Sequence, residues 1–239
     1  PKLMVSTLAA SENVPTYVGV KDVVMMPSVV DVAGLNRVSR PIFANAAGAI
    51  CGMVETQVPA SDDKPIIAAS MFGNTTDCIN QAKVILEEAG YEVLVFHATG
   101  TGGRAMESLI ESGLVSGVLD LTTTEWADEL VGGILGSGPT RLETAARNGV
   151  PAVIAPGCLD MVNFGPRDTI PEKFSGRLFY EHNPQVTLMR TTSEECTNLG
   201  RILAEKANLS TGPVAVLLPT KAISVISAPG QPFHDPAAD

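Results

Sequence analysis

Basic residues are scarce in this chain: 16 lysines and arginines stand against 26 aspartates and glutamates, for a formal net charge of −10. A nucleic-acid binder needs a basic face, so this balance argues against nucleic acid as a partner. It leaves room for a small anion held by local donors. Aromatic residues are also few, at 5% of 239, and a core short of rings but rich in Gly, Ala, Val and Leu suits helices lying close on a sheet. The four cysteines, Cys51, Cys78, Cys158 and Cys196, include no C-x-x-C pair. That spacing argues against a zinc knuckle and fits mostly buried thiols in a reducing compartment. No apolar run reaches membrane-spanning length and no leader opens the chain, so the expectation is a cytoplasmic protein with no membrane partner. Missing as well are the Gly-Lys-Ser/Thr of a P-loop and the G-x-S-x-G of a nucleophile elbow. The abrupt start at Pro1 and the stop after Asp239 read as the cut ends of a longer protein.

What is present is alternation. From Lys64 onward, short apolar runs (Pro65–Ser70, Tyr91–Phe96, Val115–Leu121, Pro151–Ala155, Pro213–Leu218) alternate with helical stretches. This pattern predicts an α/β fold, a Rossmann-like doubly wound and mostly parallel sheet flanked by helices. We take residues 1–239 as a single α/β domain with its core at 64–221. Residues 1–56 supply N-terminal strands and a small-residue helix, and 222–239 form a tail. Lys2–Thr7 and Val23–Met26 read as strands, with a polar loop over Leu8–Val20. A helix is expected from Asn36 to Val54, started or kinked by Pro41. Its face of Ala44, Ala46, Ala47, Gly48 and Ala49 suits burial on a sheet or a tight contact with a second copy, hence a homodimer. Ser193 is expected to cap the helix that runs to Asn208. Met161–Asn183, broken by Gly165, Pro166, Pro171 and Gly176, reads as a long loop and a candidate lid.

The chemistry is expected on the rim where the strands end. Tyr91–Leu109 passes from an apolar strand through Thr99, Gly100, Thr101, Gly102 and Gly103 into a helix that starts near Arg104. Free N–H groups at a helix start, two hydroxyls and a guanidinium suit a phosphate. The alternative is a tight turn whose glycines only let the helix pack on the sheet. Thr122, Thr123, Thr124, Asp160 and Asn163 end other strands and extend the expected nucleotide site. Asp120 and Glu125 are candidate Mg²⁺ ligands beside phosphate oxygens, or else a strand-end acid and a helix-start acid with capping roles. His97 is a hydrogen-bonded core or rim histidine or else a candidate for acid–base work, His182 reaches the cleft if the long loop is a lid, and Cys158 is a candidate nucleophile with no nearby His in sequence.

Several long motifs carry a resemblance. VVDVAGLNRVSRPIFANAAGAICGMV, MFGNTTDCINQAK, EVLVFHATGTGGRAMESLIESG, GVLDLTTTEWADELVGGIL, PGCLDMVNFGP and SAPGQPFHDP together resemble the Tm-one-like ATP-binding family, whose name-giving member is a tobamovirus-resistance protein of tomato. The resemblance covers nearly the whole chain. It implies a Rossmann-like architecture in two consecutive halves, with this chain similar to the second. It also implies ATP binding, self-association and, in one branch, capture of a viral replication protein. It supplies no metabolic reaction. The functional expectation is therefore a nucleotide-binding domain with ATP, and Mg²⁺ where needed, at Gly100–Arg104. The alternatives are a Mg²⁺-assisted hydrolase or lyase using Asp120 or Asp160, and a protein-assembly module.

Overall fold

The computed structural model describes residues 1–239, which divide into two compact units, Pro1–Asp63 and Lys64–Asp239. In the first unit, strands β1 (Leu3–Ser6) and β2 (Val24–Pro27) pair in parallel, Leu3 opposite Val24. The segment between them, expected as loop, holds a 3-10 turn at Thr7–Ala10 and a short helix α1 (Val14–Val18) with Pro15 in its first turn. Helix α2 (Ser39–Glu55) places Pro41 in its own first turn, where a missing N–H costs nothing, so the proline starts the helix and does not kink it. Only Ser39 and Ala46 of α2 are buried, and Ala44, Ala47, Gly48 and Ala49 are exposed.

The second unit is built on a five-stranded parallel sheet in the order β10-β6-β5-β3-β4. Its strands are β3 (Ile66–Met71), β4 (Glu92–His97), β5 (Val115–Thr122), β6 (Ala152–Gly157) and β10 (Val214–Val216). Parallel strands require crossovers, and these are helices: α3 (Thr76–Glu88), α4 (Thr101–Glu111), α5 (Glu125–Val131), α6 (Glu143–Arg147) and α7 (Ser193–Ala207). Alternate residues of each strand face opposite sides. Ala68, Val118, Ala152 and Ile154 join Met106 and Ile110 of α4, Trp126 of α5, Leu142 and Leu199, Leu203 of α7 in one core. Ala69, Val93, Leu121 and Ala155 pack with Ile79 and Leu86 of α3 in the other. Cover on both faces of β3, β4, β5 and β6 is what their continuous apolar runs demand, while the edge strand β10 is exposed.

Two further details differ from expectation. The α7 cap is Thr192, whose side chain accepts from Glu195 N–H while the Glu195 carboxylate accepts from Thr192 N–H, so the capping box sits one residue earlier than Ser193 suggested. The stretch Met161–Asn183 is not one long loop. Its ends are β7 (Met161–Phe164) and β8 (Phe179–Asn183), which flank β9 (Val186–Arg190) in an antiparallel sheet of order β7-β9-β8. The glycines and prolines lie between the strands, where Pro166 and Pro171 each precede a 3-10 turn (Arg167–Thr169 and Glu172–Phe174), while Met161–Phe164 is entirely buried. Hydrophobic alternation is absent from β7 because both its faces are covered, and that conceals it as a strand in the sequence.

Candidate functional site

The glycine turn before α4 has the geometry of an anion cradle, and its anion belongs to the protein. Gly100 N–H (2.7 Å) and Gly103 N–H (3.0 Å) both donate to Glu125 Oε1. Gly103 has no room for a side chain, because a Cβ there would lie 2.1 Å from Glu125 Oε2. At Gly102 a Cβ would lie 1.8 Å from the His97 carbonyl oxygen, and Gly100 has φ +80°. The glycines thus let α4 start hard against the end of β4 and close on an internal carboxylate. Thr99 Oγ1 donates to the His97 carbonyl, and Arg104 reaches Thr101 Oγ1 and the Gly136 carbonyl from an exposed position.

Glu125 is in turn bound to Arg141. The Arg141 Nε donates to Glu125 Oε2 (2.7 Å), its two terminal nitrogens grip both oxygens of Asp120 (2.5 and 2.8 Å), and one also reaches Glu107 (3.2 Å). Burial opposes the guanidinium charge, but Asp120 first, then Glu125 and Glu107, hold its pKa well above the usual value. Asp120 and Glu125 therefore do not fit the role of Mg²⁺ ligands, since their oxygens are engaged by a fully buried cation. No group of three or more His, Cys, Asp or Glu side chains is placed to hold a metal.

The other expected residues scatter. Thr122 N–H donates to Ser70 Oγ, and its hydroxyl to the Ser70 carbonyl, tying β5 to β3. Thr123 Oγ1 donates to the Ala155 carbonyl, and the buried Thr124 Oγ1 has no partner. Asn163 donates from its backbone N–H and its amide to Asp128. Desolvation by burial pushes Asp128 up to about 7, against the bonds from Asn163 and Leu135. His97 and His182 are exposed. The Cys158 thiol is fully buried, and that burial, then Asp160, pushes it well above the usual value, which disfavours the thiolate a nucleophile needs.

A cavity of about 360 Å³ opens elsewhere on the rim. In the strand order β4-β3-β5-β6-β10 the chain leaves β3 to one side for β4 and returns to its other side for β5. The carboxyl ends of β3 and β5 thus splay their loops apart, as at any topological switch point. The cavity lies there. Its polar wall is the end of the β3 loop and the first turn of α3, Gly73–Cys78, at a helix start that no side chain caps. Its apolar walls include Leu121, Ala155, Leu217, Pro219 and Ile223, and Ser224 faces it from the tail. None of the residues expected at Thr99–Arg104, Thr122–Thr124, Asp160 or Asn163 lines it, and no residue of Met161–Asn183 does.

Asp160 supports this cavity from behind. Its carboxylate accepts from Ser224 Oγ (2.7 Å), and its backbone carbonyl accepts from Thr191 N–H. Burial pushes Asp160 up to about 6, opposed by the Ser224 hydrogen bond and the charge of Arg190. Cys158, at φ +61°, donates its N–H to the Ile223 carbonyl and so holds the β6 loop against the tail. Arg190 fixes that tail further down, donating to the carbonyls of Phe233 and Asp235 and to Asp239 Oδ1. The motif MFGNTTDCINQAK carries the polar wall of this site in the sequence, while the tail residues 222–225 that line it lie just before SAPGQPFHDP. The lining residues include no glycine cluster, Lys or Arg that local reasoning would single out.

Comparison with known proteins agrees with the division into units. Residues 64–239 match the family described as Uncharacterised protein family (UPF0261) C-terminal domain, and residues 1–59 match its N-terminal domain. A UPF0261 protein of Clostridium tetani is 55% identical over 235 residues, covering 98% of this chain and 58% of the relative. One from Rhizobium meliloti is 53% identical, covering 100% of this chain and 60% of its own length. The chain thus spans somewhat over half the length of these relatives. The tomato ToMV resistance protein Tm-1(GCR237) is 46% identical and its ToMV-susceptible counterpart tm-1(GCR26) 45%, each over the whole of this chain, which is 32% of either protein. Near-equal similarity to the resistant and the susceptible form carries no argument about resistance.

Proposed function

This chain belongs to the uncharacterised protein family UPF0261, and from that premise we propose that its C-terminal unit binds a nucleotide or another phosphorylated small molecule at the switch-point crevice. The phosphate lies against the first turn of α3, where N–H groups and the helix dipole favour an anion. The base or other apolar body lies against Leu217, Pro219 and Ile223. The observation that carries the reading is the coincidence of a cavity, an uncapped helix start and the switch point between β3 and β5. ATP, the ligand implied by the family resemblance, is the first compound to test. Asp77 is the carboxylate on the lining that would meet Mg²⁺ carried in by such a ligand.

Titration calorimetry with ATP, AMP and inorganic phosphate tests this directly. The informative variant is Cys78→Asp, because Cys78 is exposed, lines the cavity and sits in the first turn of α3. A carboxylate there complements the helix dipole and preserves stability, yet repels a phosphate. Expected is nucleotide binding by the parent, weakened at least tenfold in Cys78→Asp with no fall in melting temperature. Absence of binding by the parent, or equal affinity in the variant, removes the reading.

A further inference from the structure

Asp160 is an exception among the buried carboxylates of the C-terminal unit. Asp120, Glu125 and Asp128 each have both oxygens hydrogen-bonded. Asp160, fully buried, has Ser224 on Oδ2 and no partner on Oδ1. A buried group left unsatisfied calls for an explanation, and catalytic use is one. Its partner Ser224 lines the 360 Å³ cavity, across which lies the first turn of α3. Ser224 is held firmly: it caps a 3-10 turn, accepting from Ser227 N–H (3.1 Å), and the adjacent Ile223 carbonyl takes the N–H of Cys158. The base side is equally fixed, because Thr191 binds the Asp160 carbonyl through its N–H and the Leu159 carbonyl through its hydroxyl. Cys158, two residues before Asp160, is kept in the left-handed region, a strain that neighbouring bonds sustain.

We propose that Ser224 is a nucleophile and Asp160 its general base, and that the cavity turns over a carboxylic ester with a small apolar acyl group. Ser224 Oγ adds to the ester carbonyl carbon as its proton passes to Asp160 Oδ2. The resulting oxyanion is stabilised by the first-turn N–H groups of α3. The adduct collapses, the bond to the alcohol oxygen breaks, and Asp160 returns the proton to that oxygen. A water deprotonated by Asp160 then attacks the acyl–Ser224 ester, the acyl–Oγ bond breaks and Asp160 returns that proton to Ser224 Oγ, so one ester and one water give one acid and one alcohol. Phosphoryl transfer fits less well, because no Lys or Arg lines the cavity to spread its charge. The charged and titratable groups acting on Asp160 are Arg190, which favours its ionised form, and Asp239, which opposes it, with the buried Cys158 thiol alongside. At pH 7 a base pushed up to about 6 is ionised and still basic enough to serve.

The proposal rests on the same cavity as the nucleotide reading but not on a nucleotide, and one experiment separates them. The full 239-residue chain is treated with a fluorophosphonate probe and the adduct is mapped by mass spectrometry, with and without ATP. Expected is one adduct, on Ser224, formed at a rate that rises through about pH 6. Asp160→Asn keeps an acceptor for Ser224 Oγ but no base, and is expected to label at least about a hundredfold more slowly while melting as the parent does. No adduct, an adduct on another residue, or equal labelling of Asp160→Asn overturns the proposal. This holds even where Ser224→Ala proves unable to fold. Labelling at Ser224 that ATP does not slow leaves the nucleophile standing and counts against the nucleotide. ATP binding by calorimetry with no adduct does the reverse.

Discussion

Gly103→Ala isolates what the glycine turn is for. The new methyl would lie 2.1 and 2.5 Å from the two carboxylate oxygens of Glu125, about 1 Å inside any tolerable contact. Glu125 has nowhere to retreat. Its side chain is fully buried and held by Gly100 N–H, Gly103 N–H and Arg141 Nε. Moving the carboxylate by that distance breaks its pairing with a buried guanidinium, a loss of about 3–5 kcal/mol. Alanine returns about 1 kcal/mol through its better helix propensity, so the net destabilisation expected is about 2–4 kcal/mol. Urea denaturation followed by circular dichroism measures it. Gly200→Ala, inside α7 with open space around its Cβ, is the control and is expected to gain up to about 1 kcal/mol. If Gly103→Ala melts as the parent or above it, Glu125 is not the anchored anion described above. Gly102→Val, a natural test for a phosphate cradle, would put its Cβ 1.8 Å from the His97 carbonyl oxygen and fail to fold before it reported on binding.

Arg141→Met is expected to cost more than about 3 kcal/mol, because Asp120, Glu125 and Glu107 would lose the cation they share; denaturation shows whether it does. Asp128 gives a pH dependence. Its value in the folded chain, about 7 against an ordinary 3.8, means the folded state binds the proton more tightly, so stability is greatest below the ordinary value and is lost as pH rises through about 7. Between pH 5 and pH 8 this group alone is expected to remove on the order of 3 kcal/mol. Asp128→Asn should flatten that dependence, with the Asn163 amide turned so that its unpartnered Oδ1 accepts from the new side chain. A melting temperature that falls as steeply with pH in Asp128→Asn as in the parent would refute this. Finally, Arg190→Ala should loosen the tail it grips, raising hydrogen exchange over residues 222–239 while the strands of the parallel sheet stay protected.

The sequence by itself determined the class of this fold. Continuous apolar runs such as Val93–Phe96 can be satisfied only by strands covered on both faces, and the helical periods between them leave a parallel sheet as the one economical arrangement. Local chemistry also marked the start of α4 as a place for an anion, since three glycine N–H positions at a helix start say so without further context. Tertiary structure decided which anion. Glu125 reaches that turn from 22 residues beyond Gly103 and Arg141 follows 16 residues later, contacts that only tertiary packing makes and that are invisible to any periodicity. Strand order likewise decided where the cavity lies. Whether β5 returns to the near or the far side of β3 depends on which faces bury most apolar area over the whole sheet, and only that choice opens the crevice beside Thr75. Ser224 and Asp160, 64 residues apart, meet for the same reason: the tail folds back across the end of β6, and what joins them is packing at long range.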